Sequence, residues 1–253
     1  MVQTRTTGQL IEPGNGKMLE VIDLNAGYGR FHILFDVSFN VDKKDIFVIV
    51  GPNGSGKSTT LKAIFGIATI YSGTIKLDGR DVTRIPPHTK AKIGMAYLPQ
   101  TDNVFAELTV EENLRMAAYT LDKSQAEDAI KEVLEVFPIL KEKFKNKVKT
   151  LSGGQRQMLG MAMMLIRKPK LMMFDEPTAG LAPKAAKEVI DKIIWLRDEL
   201  HKTIVLVEQN AKLALEIGDK ALLLVSGRVA FYGKTQELLG DRELGKRYLG
   251  LRG

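Results

Sequence analysis

Two kinds of hydrophobic pattern alternate along this chain. Apolar and polar positions alternate over residues 19–41, around a turn at 27–29, and again over residues 74–82, around a turn at 78–79. A period of two residues predicts half-buried antiparallel strands joined by tight turns. The first third of the chain is therefore expected to contain an antiparallel β subdomain.

Continuous apolar runs form the second pattern, which is typical of strands buried on both faces of a parallel sheet. The runs are residues 46–50, 171–174, 203–207 and 221–225. Segments between them have apolar residues at three-to-four spacing, which predicts amphipathic helices. These segments are residues 58–65, 183–200 and 211–217. The alternation predicts an α/β sheet flanked by helices.

Residues 105–168 contain no convincing strand pattern, and their helices begin at recognisable caps. Thr109 and Glu112 have the spacing of a capping box, and Ser152 stands where an N-cap belongs. We expect a helical subdomain inserted in the α/β core. Residues 1–17 have little apolar character, so the chain is divided into a loose tail, 1–17, and one folded domain, 18–253.

Composition narrows the class of protein. With 253 residues, of which 44% are hydrophobic, the chain can bury a substantial core, and the absence of Cys excludes disulfides and thiolate sites. The net charge of +7 comes largely from mixed-sign stretches, so no nucleic-acid partner is predicted. No apolar run approaches the roughly 18 residues that span a bilayer, so any membrane role requires a partner protein.

A glycine-rich segment, residues 51–58 (Gly-Pro-Asn-Gly-Ser-Gly-Lys-Ser), joins the buried strand 46–50 to the next helix. This context predicts a phosphate-binding P-loop rather than a mere glycine-rich turn, because its backbone N–H groups and the helix dipole favour anions. Lys57 is expected to contact the β- and γ-phosphates, and Ser58 to ligate Mg²⁺. The predicted ATP-binding residues are Gly51, Asn53, Gly54, Gly56, Lys57, Ser58 and Thr59.

The apolar run 171–174 ends in two carboxylates, Asp175 and Glu176. Burying such a pair is costly without a cation, so the strand is expected to end at a site rather than simply at a turn before Pro177. Asp175 is predicted to hold Mg²⁺ together with Ser58, and Glu176 to activate the water that attacks the γ-phosphate.

Residues 151–155 (Leu-Ser-Gly-Gly-Gln), the signature segment, place two glycines after an N-cap serine. Bare N–H groups there would form a second anion site, although a capped helix alone would also explain the pattern. One chain needs one phosphate cradle, so the second predicts a dimer with each ATP held between two chains. The residues predicted to bind ATP in trans are Ser152, Gly153, Gly154 and Gln155.

The signature segment matches that of the ABC ATPase family, and the resemblance extends from residue 19 to about residue 250. It implies that Tyr28 stacks on adenine and that Gln100 reaches Mg²⁺ and the attacking water. Residues 179–181 stand at the loop that links the two nucleotide sites, but without the usual carboxylate. Gln209 replaces the usual His at the γ-phosphate and is the third predicted catalytic residue, with Glu176 and Gln100.

Residues 179–183, 207–210 and 248–250 resemble one branch of that family, the LivF-type ATPase subunits of branched-chain amino acid importers. The branch implies a LivG-type second ATPase subunit or a homodimer, transmembrane permease subunits and an extracytoplasmic binding protein, at the cytoplasmic face of the membrane. Residues 100–114 are the expected permease contact. The alternatives are a related amide or urea importer, a soluble ABC ATPase and a P-loop kinase.

Overall fold

The computed structural model describes residues 16–101 and 103–250, which form two β sheets and their covering helices. The strands are β1 Lys17–Tyr28, β2 Phe31–Asp42, β3 Ile46–Val50, β4 Thr69–Leu77, β5 Arg80–Asp81, β6 Met95–Leu98, β7 Leu171–Asp175, β8 Thr203–Val207, β9 Lys220–Val225 and β10 Arg228–Lys234. One sheet is antiparallel, in the order β2-β1-β4-β5, and the other is six-stranded, in the order β10-β9-β3-β8-β7-β6. The predicted antiparallel strands are therefore confirmed.

Helices cover the six-stranded sheet and fill the segment before β7. They are α1 Lys57–Phe65, α2 Pro87–Lys92, α3 Val110–Ala117, α4 Lys123–Val136, α5 Pro138–Glu142, α6 Gly153–Leu165, α7 Pro183–Asp198, α8 Ala211–Ile217, α9 Thr235–Gly240 and α10 Arg242–Tyr248, with a 3-10 turn at Val148–Thr150. Between residues 105 and 168 there is one isolated β bridge, Thr109 to Lys147, and no strand, as predicted.

Strand β3 shows why the parallel strands are apolar throughout. Ile46, Val48 and Val50 pack into the core cluster that contains the helical segments, whereas Phe47 and Ile49 pack into the cluster beneath the antiparallel sheet. All five side chains have no exposed surface. Both faces of this sheet are covered, so the alternation of a half-exposed strand cannot occur here.

A stacked aromatic pair joins the two sheets. The rings of Phe39 in β2 and Phe47 in β3 lie 5.0 Å apart between centroids and are almost parallel, at 6°. Both side chains are buried, so the pair fixes the antiparallel sheet against the strand that leads into the P-loop.

Most predicted boundaries agree with the structure to within two residues, but β4 begins at Thr69, five residues before the predicted alternation at 74. The helix after the signature segment begins at Gly153, directly behind the Ser152 cap, so it includes both glycines. Tyr28, placed in the first turn by the sequence, is the last residue of β1. Residues 1–15 of the predicted tail lie outside the described residues, and β1 already begins at Lys17. The domain division remains a prediction.

The helices of the described part of the chain are short. The longest, α7, has 16 residues, and none of them combines the length and apolar character needed to cross a bilayer.

Candidate nucleotide-binding site

Four neighbouring parallel strands, β3, β8, β7 and β6, end at the same edge of the six-stranded sheet. The P-loop follows β3 directly, Asp175 ends β7, and Gln209 and Gln100 each stand two residues beyond β8 and β6. Ligands of open α/β sheets bind outside the carboxyl ends of the strands. The topology therefore brings together residues that are far apart in the sequence.

The P-loop backbone can be built only with glycine at two of its positions. Gly51 has φ 146°, and a Cβ atom there would lie 2.1 Å from the carbonyl oxygen of Leu224. Gly56 has φ 103°, and its Cβ would lie 2.6 Å from a methyl group of Leu34. No side chain caps α1, whose N-cap is Gly56, so the first N–H groups of this helix face the loop. They form a cradle suited to an anion.

Lys57 reaches back over this loop. Its Nζ donates to the carbonyl oxygens of Gly51, at 3.0 Å, and Pro52, at 3.1 Å, and lies 4.0 Å from a carboxylate oxygen of Glu176. Burial lowers the pKa of Lys57, and the charges of Glu176 and Asp175 oppose part of that shift. A phosphate beside this amine would favour its charged form further.

Asp175 lies beneath Lys57 and Ser58 and is almost fully buried. Its Oδ1 accepts a hydrogen bond of 2.8 Å from the Ser58 hydroxyl, and its Oδ2 accepts one of 3.0 Å from the Tyr97 hydroxyl. Burial and the charge of Asp175 raise the pKa of Tyr97, so this hydroxyl remains a donor. The sequence did not indicate Tyr97, which stands in an ordinary apolar strand, 78 residues from its partner.

Glu176 is held in an unusual backbone conformation. Its φ of 49° lies in the left-handed region, which costs a residue other than glycine about 1–3 kcal/mol. Its N–H donates to the carbonyl oxygen of Val207 at 2.9 Å, and its Oε2 accepts a 2.9 Å hydrogen bond from the Gln100 amide. These contacts hold the carboxylate toward the P-loop.

These side chains surround a cleft of about 490 Å³, which we call the nucleotide cleft. It is lined by Ile33, Asn53, Gly54, Gly56, Lys57, Ser58, Thr59, Gln100, Glu176 and Gln209. All except Ile33 were predicted from the sequence. Tyr28 does not line the cleft and is 41% exposed at the end of β1.

The signature segment does not line the nucleotide cleft either. Ser152 caps α6, as predicted, through a reciprocal contact with Gln155: its N–H donates to Gln155 Oε1 at 3.0 Å, and its Oγ accepts from Gln155 N at 3.3 Å. Ser152, Gly154 and Gln155 line a separate cavity beside α7. The two predicted anion sites are therefore apart within one chain.

The two signature glycines also lie in close packing contacts. A Cβ atom on Gly153 would lie 2.7 Å from a methyl group of Leu181, and one on Gly154 would lie 3.1 Å from the Cβ of Ala185. The start of α6 thus packs closely against the chain that leads into α7. The sequence indicated an anion site or a capped helix at these glycines and not this contact, because a contact between distant residues cannot be read from spacing.

One buried polar atom of the P-loop has no partner. Among the buried side-chain nitrogen and oxygen atoms of the described residues, the Ser55 hydroxyl oxygen forms no hydrogen bond. An unsatisfied buried hydroxyl is costly, and a phosphate oxygen would satisfy it. The site as a whole has a cradle, a buried cation and carboxylates, which suits a nucleoside triphosphate.

The fold and this site define the class: the chain belongs to the ABC transporter family, whose model matches residues 34–179. It is 57% identical to "Probable branched-chain amino acid transport ATP-binding protein LivF" of Archaeoglobus fulgidus, over 92% of this chain and 99% of the relative. It is 39% identical to "High-affinity branched-chain amino acid transport ATP-binding protein BraG" of Pseudomonas aeruginosa, over 92% of this chain and the whole relative.

Solved structures have the same fold. The ADP conformation of MJ1267, an ATP-binding cassette of an ABC transporter, superposes with a TM-score of 0.83 at 26% identity, covering 92% of this chain and 98% of that one. A dimeric post-hydrolysis state of the cassette MJ0796, bound to ADP and phosphate, has a TM-score of 0.74 at 24% identity, covering 86% and 99%, and this likeness concerns the fold alone.

Family membership confirms the predicted fold class and the predicted enzyme class. The chain is an ABC ATPase that binds adenine nucleotide, and this excludes the P-loop kinase alternative. Relatives named as ATP-binding proteins of amino acid transport imply membrane permease partners. The dimer remains a prediction. The roles of individual site residues remain predictions.

Proposed function

We propose that the chain is the ATP-hydrolysing subunit of an importer of branched-chain or similar hydrophobic amino acids. The single observation that supports this most is the 57% identity to the archaeal LivF protein over 99% of that relative's length. The similarity extends through the segments that carry the site, and a second relative of the same named function is 39% identical over its full length.

The P-loop residues hold the triphosphate. Backbone N–H groups of the cradle and the unpaired Ser55 hydroxyl contact phosphate oxygens, and the buried Lys57 amine supplies the positive charge. Tyr28, 41% exposed at the end of β1, is the proposed stacking partner of the adenine ring.

Ser58, Asp175 and Gln100 are the proposed ligands of Mg²⁺. Hydroxyl, carboxylate and amide oxygens are the donors that Mg²⁺ prefers, and the Ser58 hydroxyl already lies 2.8 Å from Asp175. Among the described residues, no cluster of three or more His, Cys, Asp or Glu could hold a metal ion. Bound Mg²⁺ would neutralise charge on the phosphates.

Glu176 is the proposed general base for the attacking water. Its backbone strain and its hydrogen bond from Gln100 orient the carboxylate into the nucleotide cleft. Gln209 lines the same cleft and can donate a hydrogen bond to the γ-phosphate, but an amide cannot carry the charge of an imidazolium.

The signature segment is proposed to bind the ATP of a second chain. Its residues line no part of the nucleotide cleft of their own chain, while their capped helix end offers N–H groups to an anion. ATP bound between two chains would close the dimer, and loss of the γ-phosphate would reopen it. We propose a LivG-type subunit as the partner, with a homodimer formed when the chain is isolated.

Transport requires further subunits, which we propose to be transmembrane permeases and an extracytoplasmic binding protein, with this chain at the cytoplasmic face. Phe105 is 51% exposed within residues 100–114, the segment proposed to contact the permease. This segment begins at Gln100, whose amide binds the Glu176 carboxylate, so movement of the permease would be transmitted to that carboxylate.

A transport assay tests the proposal. The chain is expressed with its neighbouring permease, ATPase and binding-protein genes in cells that lack leucine uptake, and entry of labelled leucine is measured. We expect uptake that is lost in the Lys57→Ala variant. Uptake of urea or a short amide but not leucine would favour the related importer, and a complex that never sediments with membranes would favour a soluble ABC ATPase.

A further inference from the structure

A second buried carboxylate lies beside the nucleotide cleft and is not among the site residues described above. Glu208 follows β8, directly before Gln209, and its side chain is only 2% exposed. Burial raises its pKa, and hydrogen bonds from Thr178 and the Gln209 backbone oppose that shift. None of the ion pairs of the described residues involves Glu208. Burying a carboxylate costs free energy, so one that is held by neutral donors is expected to have a structural role.

The Glu208 side chain receives two of its hydrogen bonds from one residue, Thr178. Its Oε1 accepts from the Thr178 hydroxyl at 2.8 Å and from the Thr178 N–H at 3.1 Å. Thr178 begins the turn that leads from β7 into α7, and the turn closes with Leu181 N–H donating to the Thr178 carbonyl oxygen at 3.1 Å. Glu208 therefore fixes this turn to the end of β8.

The far end of the turn contacts the signature segment. A Cβ atom on Gly153 would lie 2.7 Å from Leu181, so the two residues are in close contact at the start of α6. A continuous series of contacts thus runs from Gln209 in the nucleotide cleft, through Glu208 and Thr178, to Leu181 and Gly153.

We infer that Glu208 is a positioning residue for ATP hydrolysis. It sets the turn at residues 178–181, and with it the start of α6, relative to Gln209 of the same chain. The inference rests on the proposed function, in which α6 of each chain contacts the ATP held by its partner. The ability to accept two hydrogen bonds, rather than the negative charge, is what the role requires, because both donors are neutral.

Four variants separate this role from simple packing. Glu208→Leu removes the acceptor and Glu208→Gln keeps an acceptor oxygen, while Thr178→Val removes the hydroxyl donor and Thr178→Ser keeps it. We expect kcat for MgATP to fall about tenfold in Glu208→Leu and severalfold in Thr178→Val, since losing about 1.4 kcal/mol of transition-state stabilisation slows a reaction tenfold. Glu208→Gln and Thr178→Ser should stay within about threefold of wild type.

KM for MgATP should change less than about twofold in all four, because none of the altered atoms contacts Lys57 or Ser58. The chain offers a matched control in Thr83, whose N–H and hydroxyl both donate to one oxygen of Asp81, at 2.8 and 2.6 Å, away from the site. The Thr83 hydroxyl also accepts from the Ile75 N–H at 2.9 Å, so Thr83→Val should lose at least as much stability as Thr178→Val and yet keep full kcat.

Dimer assembly separates this inference from the proposed function. MgATP is added to Glu176→Gln and to Glu176→Gln/Glu208→Leu, each mixed with the cognate subunit, and the ATP concentration at half-assembly is compared. Support for the inference would be assembly of both proteins, with a severalfold higher midpoint in the double variant. Assembly with equal midpoints, together with a wild-type kcat in Glu208→Leu, would overturn the inference alone.

Failure of the Glu176→Gln parent to assemble would overturn the proposed function and this inference with it. If Glu208→Leu does not fold, the Thr178→Val and Thr178→Ser pair decides, because a positioning role predicts rescue by serine. Equal kcat in Thr178→Val, Thr178→Ser and Thr83→Val would then contradict the inference.

Discussion

At the scale of single residues, the carboxylates of the site are held mainly by neutral donors. Hydroxyl groups of Ser58 and Tyr97 bind Asp175, and the amide of Gln100 binds Glu176. The charged Lys57 approaches Glu176 only to 4.0 Å. Neutral donors fix the direction of a carboxylate through hydrogen bonds, without an ion pair.

Gln209 carries the first prediction, because its amide does not titrate. Replacing it with His should raise kcat at pH 6, where imidazole is largely protonated, and the gain should decline toward pH 8, since an unperturbed His has a pKa of about 6.5. Wild-type turnover should vary less across this range. Phosphate release at saturating MgATP measures both.

Gln125 offers the control for this prediction, since it is exposed on α4. Gln125→His adds the same titrating group far from the nucleotide cleft and should leave the pH profile unchanged. Identical profiles of wild type and Gln209→His between pH 6 and 8 would contradict the role given to Gln209.

Lys90 carries the second prediction. It has no exposed surface, its Nζ donates to the carbonyl oxygen of Ile64 at 2.7 Å, and burial lowers its pKa from 10.5 to about 8. Between those two values the unfolded chain binds more protons than the folded one, so stability rises with pH. The gain from pH 7.5 to 9.5 should be about 2 kcal/mol.

Urea unfolding at the two pH values, compared between wild type and Lys90→Met, isolates this contribution. The variant should lack the gain, whereas Lys92→Met, at an exposed position of the same helix, should keep it. A pH dependence that Lys90→Met shares with wild type would show that the buried amine is not its source.

At the scale of elements, two helices, α3 and α6, begin with the same type of capping box. Thr109 and Glu112 form a capping box at α3, and Ser152 and Gln155 form one at α6. Each serine or threonine cap contributes about 1 kcal/mol. Only the α6 cap belongs to the proposed trans site. Comparing the loss of each cap therefore separates an effect on stability from an effect on ATP binding between chains.

The third prediction uses this pair. Thr109→Ala and Ser152→Ala should each lower the free energy of unfolding by about 1 kcal/mol, measured in urea. Only Ser152→Ala should also raise the ATP concentration needed for dimer assembly, because it disturbs the start of α6. Equal effects of both variants on assembly would reject a special role for Ser152.

Elements and motifs that depend on local spacing could be predicted from the sequence. Strands β3 and β8 and helix α8 were predicted residue for residue, because apolar runs and helical periodicity are local patterns. The P-loop was predicted because its glycines, lysine and serine are contiguous. The capping box of Thr109 and Glu112 was predicted from residues three positions apart, and Ser152 was predicted as an N-cap.

Contacts between distant residues were not predictable in this way. Tyr97 meets Asp175 across 78 residues, and Thr178 meets Glu208 across 30, because neighbouring strands bring their ends together. The close contact of Gly153 is with Leu181, which lies 28 positions further along the chain, in the turn before α7. A single sequence holds no record of which ends become neighbours.

At the scale of the whole molecule, the six-stranded sheet forms the nucleotide cleft at one edge while the helical segment carries the signature residues elsewhere. Each half-site is incomplete within one chain: one offers the P-loop and carboxylates, the other a capped helix end. Two chains arranged reciprocally would complete both sites. Transport, the role of Ser152 and that of Glu208 all depend on this arrangement.

The most direct test is assembly of the Glu176→Gln protein, which should bind MgATP without hydrolysing it. Mixed with its cognate ATPase subunit, it should form a stable dimer in analytical ultracentrifugation at saturating MgATP and dissociate when nucleotide is removed, while Lys57→Ala stays monomeric. If Glu176→Gln saturated with MgATP sedimented only as a monomer, alone and with its cognate subunit, the shared nucleotide site would be refuted.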